Sequence, residues 1–338
     1  MSSVANTRRS LLLTPNEAHT LPKASTKFLD ATWFMPNSPR NAKQEFVKRH
    51  IPGAQFFDLD EVASPNELGL KHMMPSPQQF KEACDNFGIS REDAVVLYDT
   101  HGIFSSPRAL FTFKSFGHPN AFVLNGGLPA WLDQGLSVED GSGHASTTTI
   151  KGAYPIPKLD QGIIRSYEEM IGNAERSLPD AELVLDARPT ARFTGAAPEP
   201  RAGLSSGHMP NSVSIPFNAL LATHSGSNEG QATYTTLLPA DELRAKLVEL
   251  LSTPSNWTRG GGVKGSESGA DGEAILGRIL RGEQPAVASC GSGMTACVIW
   301  LALQELTGGA QAIALYDESW TGYAMRSTSR ILKSVDET

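Results

Sequence analysis

Cysteine is scarce in this sequence: three residues in 338, at positions 84, 290 and 297. The odd number and the spacing fit neither a disulfide framework nor a zinc site, so a thiol is left to act as a thiol, as a reducing compartment allows. Positive charge is also short. The 29 Lys and Arg against 36 Asp and Glu leave a net −7, which gives no electrostatic case for nucleic acid or an anionic membrane. No apolar run approaches the ~20 residues that a membrane helix needs. Arg8 and Arg9 precede the first acid, Glu17, but no secretory apolar core follows them. The expectation is a soluble intracellular protein, cytoplasmic or also mitochondrial, without direct nucleic-acid or membrane partners. With 40% hydrophobic residues, the chain has length for two ordinary globular domains.

What is present is written twice. "FLDATWF" (28–34) returns as "VLDARPT" (184–190), and "RHIPGAQFFDL" (49–59) as "GHMPNSVSIPF" (207–217). "VVLYDTHG" (95–102) returns as "AVASCGSG" (286–293), and "AFVLNGGLPAW" (121–131) as "AIALYDESWTG" (312–322). Four segments recur in one order, which marks an internal duplication. The second copy's extra length falls in "THSGSNEGQATYT" (223–235) and the Gly/Ser-rich stretch 255–273, which has the composition of a mobile surface loop. The short apolar runs read as strands. "SPQQFKEACDNFG" and "LPADELRAKLVELLS" read as helices, the first with an N-cap serine, the second with amphipathic spacing. The fold class is α/β: tandem domains, each a mainly parallel sheet flanked by helices, with ligands near the carboxyl ends of the strands. The boundaries are 22–142, a linker over 143–164, and 165–330.

In "AVASCGSGMTACVIW" (286–300) a buried strand delivers Cys290 into a six-residue loop with two glycines, ahead of a helix. Such a loop can turn several N–H groups on one point and stabilise an anion there, a thiolate or a persulfide. Cys84, inside an amphipathic helix, and Cys297, one turn into the next helix, read as packing residues, with a redox role left open for Cys297. A cysteine phosphatase needs an arginine to close the loop on phosphoryl oxygens. Thr295 and Ala296 stand at the closing positions, and no arginine follows before Arg326. Attack on sulfur, giving an enzyme persulfide, is the chemistry that remains.

The duplication, "RHIPGA", "SGHMP" and above all "CGSGMTA" resemble the tandem-domain rhodanese sulfurtransferases, over most of the chain from about Phe28 to Trp320. The uncharged Gly291–Ser292 pair is similar to the branch that uses 3-mercaptopyruvate, since the thiosulfate-using branch carries basic residues there. The resemblance implies rhodanese-like domains, the second catalytic. It implies sulfur transfer from 3-mercaptopyruvate through a Cys290 persulfide to cyanide or a thiol acceptor such as thioredoxin or a sulfur carrier protein, releasing pyruvate, with no metal or organic cofactor. Thiosulfate as donor, or a sulfur relay feeding tRNA thiolation, are its alternatives. Gly291, Gly293, Met294 and Thr295 would form the N–H cradle. "DARPTARFTGAAPEPR" makes Arg192 and Arg201 the substrate arginines, with Arg188 an ion-pair partner of Asp186. "FFDLDEVASPNELGLKHMMP" makes Asp60 (rather than Asp58) and His72 partners of Ser292 in a relay. Asp99 replaces the cysteine in the first copy, which implies that this copy is silent. "YDESWTGYAM" keeps Asp-x-Ser-Trp but departs from the family pattern after it.

Overall fold

A computed structural model describes residues 10–141, 154–227, 233–258, 271–309 and 313–334. The first half contributes five strands: β1 (Leu12–Leu13), β2 (Thr26–Asp30), β3 (Gln55–Phe56), β4 (Ala94–Tyr98) and β5 (Ala121–Leu124). They form one parallel sheet in the order β1-β5-β4-β2-β3. The second half contributes β6 (Ile164–Arg165), β7 (Leu183–Asp186), β8 (Ser212–Ser214), β9 (Leu221–His224), β10 (Tyr234–Leu237), β11 (Ala286–Ser289) and β12 (Ala314–Tyr316). Its parallel sheet runs β6-β12-β11-β7-β8, the same order again. β2/β7, β3/β8, β4/β11 and β5/β12 are the four repeated segments. Central strands such as β11 and β5 are buried along their whole length, as helix-covered parallel strands must be, hence their unbroken apolar runs.

The repeat extends to detail. His50 stacks on Phe46 at 4.2 Å and His208 on Phe193 at 4.1 Å, and each Nδ1 meets the carbonyl of the ring it stacks on. The sheets reach beyond the boundaries read from sequence. β1 lies ahead of residue 22, and β6 begins inside the stretch read as linker. Two-residue edge strands are too short to show a periodicity. Tyr154, also in that stretch, is buried against Phe80 and bonded to His118 Nδ1 at 2.9 Å.

Ser76 caps the helix Pro77–Asn86 through a capping box with Gln79, and Leu243, Leu247 and Leu251 form the buried stripe of the helix Ala240–Ser252. Between the halves, the helices Ser106–Ser115 and Ala296–Thr307 are almost wholly buried, and Phe111 meets Trp300 edge-on at 5.3 Å. The second copy's first insertion forms the antiparallel ribbon β9–β10, which grips the first copy. Thr235 N–H donates to His101 O at 3.0 Å, Tyr234 O–H to Asp133 at 3.1 Å and Leu237 N–H to Asn125 Oδ1 at 3.0 Å. Residues 228–232 of that insertion, 259–270 of the Gly/Ser-rich stretch, the start of the linker and the N-terminal arginines lie outside the described residues. No helix among the described residues is long and apolar enough to cross a membrane.

One difference between the copies has a measurable effect. Asp186 in β7 is paired with Arg188 at 2.6 Å, but Thr32 replaces that arginine in the first copy. Asp30 therefore sits fully buried without a cationic partner, bonded to the Thr32 N–H and hydroxyl through its Oδ1 and to the Tyr98 hydroxyl, and burial, reinforced by the charge of Asp99, pushes its carboxyl up to about 7. The folded state thus holds this proton more tightly than the unfolded chain does at 3.8. The resulting stabilisation is complete below that value and is lost as pH rises through about 7. Asp30→Asn is expected to stabilise the protein by roughly 2–4 kcal/mol at pH 8 and much less near pH 5. Urea unfolding at both values checks this; an equal change at both would contradict it.

Candidate active site

β11 ends at Ser289, and Cys290 follows into the loop at the carboxyl edge of the sheet. Cys290 is 2% exposed. Its N–H donates to Ser319 Oγ at 3.1 Å, while its carbonyl and that of Gly291 accept the N–H groups of Trp320 and Thr321. Ser319 adopts φ +52, a left-handed conformation rare for a serine, and so the loop is laced to the turn after β12. Gly293 has φ +80, and a Cβ there would lie 2.6 Å from Asp317 O and 2.9 Å from Arg108 Nη1, so only glycine fits.

The first copy shows what a loop of this curl holds. Asp99, in the place of Cys290, accepts N–H groups from His101 and Gly102 on Oδ1 and from Phe104, Ser105 and Ser106 on Oδ2, all within 3.0 Å. Five donors converge on one anion. Gly102 at φ +108 matches Gly293. The corresponding second-copy residues are Ser292, Gly293, Thr295, Ala296 and Cys297. The N–H groups of the first four bond to no acceptor among the described residues, whereas Cys297 N–H donates to Met294 O. The N–H groups of Gly291 and Met294, expected in the cradle, likewise bond to no acceptor among the described residues. Cys297 is buried, its thiol donates to Gly293 O at 3.3 Å, and burial pushes that thiol up to about 12. Cys84 is likewise pushed up by burial.

From the first copy, Asp60 Oδ1 meets His72 Nδ1 at 3.0 Å and Trp33 Nε1 donates to Asp60 Oδ2 at 3.3 Å. Burial works against the Asp60 charge, yet the bonds from His72 and Trp33 and the charge of Lys71 hold the carboxyl below its usual range. Burial, aided by Arg108 and opposed by Asp60, lowers His72. His72 Nε2 is buried without a partner among the described residues, and φ is +48. Asp58 caps its own turn, accepting the N–H groups of Asp60 and Glu61. The Ser292 hydroxyl bonds to no described residue, so the third link of the expected relay is not formed.

Arg201 Nη1 donates to Thr321 Oγ1 at 2.9 Å, and the Thr321 hydroxyl donates to Gly291 O, which brings this arginine to the rim of the cysteine loop. Arg192 donates no side-chain hydrogen bond to the described residues and lies in the field of Glu199. Arg188 is engaged structurally, forked on Asp186, bonded to Glu199 and Gly207 O, and stacked over Trp320 at 4.0 Å.

The "Rhodanese-like domain" family model matches residues 16–134. The "Probable 3-mercaptopyruvate sulfurtransferase" of Schizosaccharomyces pombe is 34% identical over 304 residues, covering 89% of this chain and 87% of that protein. The chain belongs to the rhodanese sulfurtransferases. The "Thiosulfate/3-mercaptopyruvate sulfurtransferase 1, mitochondrial" of Arabidopsis thaliana is 35% identical over 90% of this chain and 73% of its own length. The crystal structure of Tum1 protein from Saccharomyces cerevisiae superposes with TM-score 0.73 at 27% identity, covering 96% of this chain and 99% of that one.

This sulfurtransferase also has an arginine beneath its loop that the sequence reading missed. Arg108, from the first copy's buried helix, is 1% exposed and donates to His72 O and Asp317 Oδ1 at 2.6 Å and to Gly293 O at 3.3 Å. Asp317 overcomes the burial that would disfavour the guanidinium charge, and both Cys290 and Cys297 lie within its field. The one sequence signal was an arginine inside the otherwise apolar "SPRALFTF", since a cation on a buried helix needs a buried partner.

Proposed function

We propose that this chain takes the sulfur of 3-mercaptopyruvate on to Cys290 and passes it to a thiol acceptor or cyanide. The Cys290 thiolate attacks the substrate sulfur and an S–S bond forms. The carbon–sulfur bond breaks, and its electron pair leaves on the carbon as the pyruvate enolate, which takes a proton to become pyruvate. The persulfide then gives its outer sulfur to a thiol such as that of thioredoxin or a sulfur carrier protein. In this reading the cradle N–H groups hold the thiolate and persulfide, while Arg192 and Arg201 bind the planar carboxylate and carbonyl, a task suited to guanidinium forks. The Asp60–His72 pair and the Ser292 hydroxyl orient the substrate. No step calls for a metal or organic cofactor. The observation that carries the reading is Arg201, delivered through Thr321 to Gly291 at the rim of an uncharged anion cradle.

Thiosulfate as donor has one specific observation in its favour, the Arg108 cation beside the loop. That charge is already engaged by Asp317, and the loop residues themselves carry none. Rates of thiocyanate formation with the two donors decide; faster turnover of thiosulfate would overturn the choice. Arg201→Ala is expected to raise KM for mercaptopyruvate by about 10- to 100-fold, with a smaller fall in kcat, in steady-state assays of pyruvate release. The cytoplasm and the mitochondrion are both proposed compartments, the second because the Arabidopsis relative's name places that protein in mitochondria.

A further inference from the structure

Asp99 occupies the place of the loop cysteine in the first copy, and its surroundings leave no room for a substrate. The ribbon closes the mouth of the loop: Ile103 N–H donates to Thr235 Oγ1 at 3.2 Å, and a Cβ on Gly102 would lie 2.1 Å from Thr235 O. The carboxylate is wholly buried, and besides its five N–H groups it accepts the Ser106 hydroxyl at 2.7 Å. Any neutral side chain here would leave several buried donors without an acceptor.

Two residues held by this anion lead onward to the reaction site. Ser105, whose N–H ends on Asp99, accepts the Trp33 N–H on its Oγ at 3.1 Å. Trp33 then holds Asp60 through Nε1 and sets its ring edge-on to His72, with centroids 5.2 Å apart at 75°. Ser106 opens the helix that carries Arg108 in its first turn, and Arg108 binds the His72 and Gly293 carbonyls.

We propose that Asp99 is a positioning residue for sulfur transfer, a resident anion that fixes the loop from which Trp33 and Arg108 set the Asp60–His72 pair and the Cys290 loop. The proposal rests on the sulfurtransferase reading and gives the copy without a loop cysteine a task in it. Asp99→Asn turns one acceptor oxygen into a donor facing N–H groups, while Ser105→Ala and Trp33→Phe cut the chain further along. Each is expected to lower kcat with mercaptopyruvate by about tenfold while KM stays within about twofold. The groups that set the pH profile are Asp60, facing His72 and Lys71, and His72, facing Asp60, Arg108 and Asp317. Loss of the Trp33 N–H from Asp60 moves the acid limb of kcat/KM toward higher pH, and the His72 titration followed by NMR, which needs no sulfur donor, moves in the same three variants. Asp99→Asn with Trp33→Phe is expected to be no slower than Asp99→Asn alone.

Wild-type kcat, pH profile and His72 titration in Asp99→Asn, or losses that multiply in the double variant, would overturn the proposal. If Asp99→Asn does not fold, Ser105→Ala and Trp33→Phe decide: a shared shift of the limb supports it and an unmoved limb overturns it. A wild-type protein that forms no persulfide from mercaptopyruvate sinks the sulfurtransferase reading instead, and the His72 titrations then decide the positioning claim by themselves.

Discussion

Cys290→Ser is expected to abolish sulfur transfer and to leave the intact mass of the variant unchanged when mercaptopyruvate is added, whereas the wild-type protein should gain about one sulfur atom. The expected loss is at least about 10⁴-fold, the scale on which enzymes lose activity with their nucleophile. A serine hydroxyl stays protonated where a thiol can ionise, and its oxygen cannot form the persulfide. Serine fits the site without strain, since the Cys290 backbone is held by Ser319 and Trp320 rather than through its side chain. A folded, silent variant is therefore expected. Cys297→Ser is the control. Its thiol is buried, bonded to Gly293 O and pushed up to about 12, so it supplies no competing thiolate near neutral pH. If the added sulfur persists in Cys290→Ser and disappears in Cys297→Ser, the assignment of the nucleophile is reversed.

What could be read beforehand follows the range of each interaction. The central strands β4, β5, β7 and β11 are legible because burial on both faces makes each a largely apolar run, whereas the edge strands Leu12–Leu13, Gln55–Phe56 and Ile164–Arg165 carry two residues apiece and no pattern. The cysteine loop is legible because its strand, glycines and helix start are consecutive in the chain. Asp60 and His72 came from resemblance alone, as nothing local says that residues twelve apart in an irregular stretch will pair. Arg108 and Asp317 were illegible for a plainer reason: they stand 209 residues apart, and their contact exists only once the two copies have packed. The sequence argument that no arginine closes the loop holds for the loop's own segment and fails for the space beneath it.

Arg108→Met is expected to cost about 3–5 kcal/mol of stability, because it leaves the Asp317 carboxylate without its buried countercharge. Asp317 Oδ2 keeps the Met74 N–H at 2.9 Å, which does not replace a guanidinium. The same change strips the guanidinium from the His72 and Gly293 carbonyls, so the folded fraction should form persulfide about 100-fold more slowly. Arg108→Lys retains the charge but not the fork that reaches three oxygens on three segments, and should recover part of the stability and little of the rate. The decisive protein is the double variant Arg108→Met, Asp317→Leu. Replacing a buried ion pair by apolar residues of similar size is often neutral or better for stability, so urea unfolding should return close to the wild-type midpoint. The rate of persulfide formation, followed by mass after rapid quenching, should stay low, because that variant has lost the guanidinium that braces the Gly293 carbonyl from beneath and carries positive charge under Cys290. Recovery of both together would reduce Arg108 to a structural pair with Asp317. Stability restored without rate would show that the first copy contributes the cation on which the loop cysteine of the second depends.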